Sequence, residues 1–141
     1  MRRGFTILEL SCVIAIIAFI CAASIPVYEV LVYRAQADEA RTVLRAIAHA
    51  ELRHYRDRGT FLACDPGGEV PRPTGAFPAE APCWRALGFQ LVGEVRYRYA
   101  VALDGDSFVA TAEGDLDRDG STSRFSLHGR DMQIFVEDEL E

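Results

Sequence analysis

A single carboxylate, Glu9, interrupts the otherwise apolar run in MRRGFTILELSCVIAIIAFICAASIP. Burying such a charge in hydrocarbon costs roughly 2.5–3.5 kcal/mol on insertion scales, so an intramembrane acid calls for a named partner. No positive side chain occurs from Phe5 to Tyr33. A cation for Glu9 has to come from another chain or from a new amino terminus; otherwise the charge stays unpaired near the membrane surface.

A second acidic pattern lies in GDLDRDGS, where Asp115, Asp117 and Asp119 alternate ahead of Gly120. Oxygen ligands at alternate positions before a turn glycine are how short loops surround calcium. The twelfth position of such a loop, which supplies a glutamate in the full motif, is Ser126. A calcium site here needs further ligands, from carbonyls near Ser121 or from Asp104, Asp106 or Glu113. The other reading is a solvated acidic hairpin tip, its repulsion softened by water and Arg118.

Other chemistry is sparse. His49 and His54 are five residues apart, so they do not share a helical face as the four-residue spacing of a zinc motif does. There is no flanked serine and no glycine-rich phosphate loop. Cys12 and Cys21 lie in the apolar run, about 13 Å apart on a helix, and read as small apolar filler. Cys64 and Cys83 sit in a glycine- and proline-rich polar stretch, and an even pair in an exported domain reads as a disulfide. The sequence is that of a non-enzymatic protein.

The elements that position these residues begin with the apolar run. Phe5 to Ile25 is long enough to cross the ~30 Å hydrocarbon core as a helix, and Arg2 and Arg3 ahead of it hold the amino terminus in the cytoplasm. It is too long for an ordinary cleaved signal. The expected topology is a single inner-membrane pass with the carboxy-terminal part in the periplasm. A formal charge of −6 and a pI near 5.1 give no attraction to nucleic acid. All the basic residues are arginine, and from Asp104 onward acidic residues far outnumber them.

The string Arg-Arg-Gly-Phe-Thr-Ile-Leu-Glu-Leu, the apolar helix and Pro26 together resemble the N-terminus of a type IV prepilin or a type II secretion pseudopilin. Ile7-Leu8 stands where that family usually has Leu-Ile, which keeps volume and apolarity. The resemblance implies that a prepilin peptidase cuts after Gly4, that Phe5 becomes an N-methylated first residue, and that Glu9 meets the terminal ammonium of a neighbouring subunit in a helical homopolymer. It further implies pilus or secretion assembly machinery as partners and a surface filament as the final location. Opposite charges in low dielectric attract strongly, and each alone is penalised.

The likeness also implies an α+β pilin fold, a long N-terminal helix packed on a small antiparallel β-sheet. The expected divisions are a leader at 1–4, an assembly helix at 5–29 and a head at 30–141. Within the head, apolar spacings of three and four predict helix over 30–58, with Gly59 as its stop. Pro26 removes a helix hydrogen bond and predicts a kink. Glycine and proline punctuate an irregular loop over 59–93, from which Trp84, Leu87 and Phe89 re-enter the core. Alternation predicts a sheet over 94–136: strands at Val95–Leu103, Ser107–Ala112 and Arg124–Leu127, with an edge strand at Met132–Val136. Three functions compete: a pilus subunit, favoured by the cysteine pair; a secretion pseudopilin, favoured by the acidic loop; and a membrane-anchored binding domain that never polymerises.

Overall fold

The computed structural model describes residues 6–71, 74–116 and 120–137. The leader cleavage and methylation positions Gly4 and Phe5, and Asp117 and Asp119 of the acidic loop, lie outside these residues. Helix α1, Ile7–Arg58, contributes to two compact units, one up to Tyr33 and one from Arg34 onward.

The first unit is the apolar part of α1. Ile7–Ser24 has a mean hydropathy of 2.5 and none of it is buried by the chain itself, so it is long and apolar enough to cross a membrane. Its few polar side chains serve the helix: the hydroxyls of Ser11 and Ser24 donate to the carbonyls of Leu8 and Ile20 at 2.9 and 2.8 Å. Back-bonding of this kind removes hydroxyls from a medium that offers no water. Pro26 falls within α1.

In the second unit α1 packs on an antiparallel sheet. Strands β3 (Arg98–Asp104), β4 (Ser107–Gly114), β5 (Ser123–His128) and β6 (Ile134–Glu137) follow one another as a meander. Ala37, Ala40, Leu44, Ile47 and Ala48 form the buried stripe of the helix. The buried face of the sheet supplies Tyr99, Val101, Phe108, Ala110, Ala112, Phe125 and Leu127, and Tyr97, just ahead of β3, is buried with them. Helical spacing on one side and strict alternation on the other are what bring these residues into one layer. The expected α+β architecture is present.

The loop expected over 59–93 contains regular structure. Strand β1 (Gly75–Ala76) pairs antiparallel with β2 (Glu94–Val95), and α2 (Pro82–Leu87) lies between them in the chain. Pro82 at the start of α2 and a left-handed Gly88 at its end fix so short a helix. The N–H groups of Gly88 and Phe89 donate to the carbonyls of Arg85 and Trp84 at 3.1 and 2.9 Å, a Schellman closure. Trp84 and Leu87 are buried as expected, while Phe89 is half-buried.

The Cys64–Cys83 disulfide joins this segment to the sheet, with its Cα atoms 5.3 Å apart. Cys64 also exchanges two backbone hydrogen bonds with Val101, at 2.8 and 2.6 Å, covering the outer edge of β3.

The strand expected as continuous from Val95 to Leu103 is interrupted at Arg96 and Tyr97. Glu39 of α1 is the cause: it accepts the Arg96 backbone N–H at 2.9 Å and its guanidinium at 2.7 Å, drawing the chain out of the ladder. Leu103, expected inward, is 53% exposed. The last strand begins at Ile134 because Met132 adopts a left-handed conformation (φ 59°) in the preceding turn. Gly114 is obligatory, since a Cβ there would lie 2.7 Å from the Tyr97 ring.

Glu51 of α1 is a fully buried carboxylate. Its Oε2 accepts the Leu62 N–H at 3.0 Å, whereas Oε1 has no partner. Burial pushes its pKa up, against the opposing pull of the Leu62 N–H and His54. A raised carboxyl pKa contributes stability that is complete below the unfolded value, about 4.3, and is lost as pH rises through the folded value. Glu51→Gln keeps the acceptor and removes the charge. Thermal unfolding of the full chain in detergent micelles should therefore show the variant gaining on the parent as pH rises from about 4 to 8; a pH-independent difference contradicts this account.

The sequence separation of 19 between Cys64 and Cys83 gives a second expectation. Replacing both by serine should cost about 3 kcal/mol by loop entropy, measured by denaturant unfolding under non-reducing conditions.

Candidate functional site

The start of α1 carries a charged group on an otherwise apolar stretch of helix. Thr6 precedes the helix and Glu9 is its third residue, which is the Thr-x-x-Glu arrangement of a capping box. The Glu9 N–H donates to Thr6 Oγ1 at 3.2 Å, and Glu9 Oε2 accepts the Thr6 N–H and hydroxyl, both at 3.0 Å. The helix closes behind it, Leu10 N–H donating to the Thr6 carbonyl at 3.1 Å. Two backbone donors that the helix cannot satisfy are met by side chains, and the negative charge sits at the positive end of the helix dipole.

A glutamate read only as a charge in lipid does not disclose this arrangement. The signal, Thr6 three residues ahead of Glu9 before an apolar run, stands in the sequence. The carboxylate is held in one orientation within its own chain, with both bonds on Oε2. Among the described residues, Oε1 has no hydrogen-bond donor.

The acidic loop is only partly in view. Asp115 follows β4 as a buried residue, and no group of three His, Cys, Asp or Glu among the described residues could hold a metal. Two of the more distant acids are engaged elsewhere: Glu113 is bonded by Arg98 and, at 2.7 Å, by Arg124, and Asp106 pairs with Arg130 at 3.1 Å. His54 is structural, its Nδ1 lying 2.9 Å from the Thr60 carbonyl, and His49 is exposed.

Comparison with known proteins finds pilin-named relatives. The chain is 36% identical over 63 residues to the fimbrial protein EcpC of Eikenella corrodens, covering 45% of this chain and 41% of that one. It is 32% identical over 68 residues to the type IV major pilin protein PilE1 of Neisseria gonorrhoeae, covering 48% and 32%. Its relatives include a pilin. The match spans less than half the length of either relative. No family model and no solved structure matches the chain. The likeness to type IV pilins read from the N-terminal motif thus has support in named relatives, and the long apolar helix and α+β head accord with it.

Loss of the cap has a measurable consequence. Thr6→Val removes the hydroxyl at nearly constant volume and should destabilise the first turn by about 1 kcal/mol. In micelles the amide of Glu9, which loses its acceptor, should then exchange about fivefold faster, with amides after Ser24 unchanged.

Proposed function

We propose that this chain is a structural subunit of a type IV pilus, cut after Gly4 by a prepilin peptidase, N-methylated at Phe5 and polymerised through its N-terminal helix. The observation that carries the reading is Glu9: a carboxylate on an apolar, membrane-length helix, in a stretch with no positive side chain, with one oxygen left over from its own cap. The ammonium created at Phe5 of a neighbouring copy is the cation such a site lacks. Pairing the two in low dielectric favours subunits in register over those out of register. Before assembly the subunit is held in the inner membrane with its head in the periplasm; afterwards it belongs to a surface filament.

The reading follows the names of the two relatives, with a secretion pseudopilin as its alternative. The acidic hairpin plays no part in this reading.

Glu9→Ala in the native host should leave the chain in the membrane fraction and abolish filaments in sheared surface material, a loss of at least about tenfold, since an uncompensated buried charge costs several kcal/mol. Normal filaments from that variant would end the assembly reading in favour of a non-polymerising anchored domain. Deleting the gene separates the machines: a pilus subunit is needed for surface filaments, whereas a pseudopilin is needed for export of secreted proteins.

A further inference from the structure

The end of the head where α1 finishes carries an aromatic ridge that the assembly reading does not use. Tyr55, in the last turns of α1, is 47% exposed. Its ring stacks on Phe61 at 4.5 Å and 19°, and Phe61 in turn meets the buried Phe108 at 5.0 Å. Phe108 is buried in the core, its ring packed so closely on Gly129 that a Cβ there would lie 2.5 Å from it. The exposed ring is thus backed by a relay of rings into the core, and its orientation is set before anything binds.

Two adjoining hollows open at this ridge, one of ≈450 Å³ and one of ≈310 Å³. Both are lined by Tyr55, Phe61, Asp106 and Ser107; the first reaches Arg130 and the second reaches Thr60 and Leu103. Asp106 and Arg130 bond each other at 3.1 Å with side chains 92% and 64% exposed, so each keeps hydrogen-bonding capacity toward solvent. Their charges cancel locally. A free anion or cation gains little here, and a purely apolar ligand would strip water from the ion pair and the hydroxyls without replacing it.

The geometry points to a neutral polyhydroxylated ligand, a pyranose whose C–H face lies on Tyr55 and whose hydroxyls bond Asp106 and Arg130. A pyranose has one apolar face and a rim of donors and acceptors, matching one exposed ring edged by a carboxylate and a guanidinium. Both hollows are shallow and open, which suits a ligand held by one stacked face and a rim of hydrogen bonds. Because the two hollows adjoin at Tyr55 and Phe61, a chain of sugars can extend from one into the other.

The test uses the full chain in micelles of a detergent without a sugar headgroup, titrated with the methyl glycosides of mannose, galactose and N-acetylglucosamine and followed by the NMR shifts of Tyr55 and neighbouring amides. Saturable shifts with at least one glycoside are expected. Tyr55→Ala should weaken that binding roughly tenfold by loss of stacking, Tyr55→Phe should retain it, and Asp106→Asn should weaken it. Val92→Ala, at an exposed position away from the ridge, should change nothing. Circular dichroism checks that each variant folds. A trisaccharide of the binding sugar that binds tighter than the monosaccharide assigns the site to a glycan chain; equal affinity assigns it to a single sugar. No shift with any glycoside, binding that survives Tyr55→Ala, or binding of a proline-rich peptide in place of every sugar overturns the proposal.

Discussion

One helix has to satisfy two solvents. Along Ile7–Ser24 the side chains of α1 face outward and are apolar all round, as hydrocarbon demands. From Ala37 onward the same helix carries a narrow apolar stripe, with charges elsewhere, as a protein core demands. Each half follows from its medium. The head can fold on one stripe of α1 only because the other faces there remain polar, and the first half can enter lipid only because its hydroxyls and its one early acid are bonded back to the helix.

Within the head, the helix sets the sheet by charge as well as by burial. Glu39 takes both the backbone and the side chain of Arg96, which turns the chain from β2 into β3 at a fixed point. Arg41 lies over the Phe125 ring at 5.4 Å, a second polar clasp at the rim of the apolar layer. On the outer face, Glu113 is held between Arg98 and Arg124 across three strands. These contacts use arginine where planar donors suit a carboxylate, so the all-arginine composition finds structural use here.

How much was legible follows from what kind of force placed each residue. Burial periodicity made the helix limit at Arg58, the inward faces of β3, β4 and β5 and the covered Trp84 readable, because water exclusion acts on patterns a reader can count. The cysteine pair was readable from composition alone. The strand break at Arg96 was not, since it depends on Glu39, 57 positions earlier in the chain. Helix α2 and β1 were hidden among prolines and glycines whose role is to start and stop short elements. At the candidate site Glu9 was found by its misfit with lipid, while its cap was overlooked: an unfavourable burial draws attention, and a satisfied hydrogen bond in the same four residues does not.

Cys64 is fastened twice, by its backbone to the edge of β3 and by its sulfur to Cys83. Tension entering the head along α1 leaves the helix at Gly59 and meets the sheet at this residue. The segment between the two cysteines, separated by 19 positions in sequence, cannot then be paid out as slack, which withholds about 60 Å of contour length at some 3.4 Å per residue. A head pulled through its helix is inextensible over that span, and the load passes to the ladder of β3 and β4 in its place.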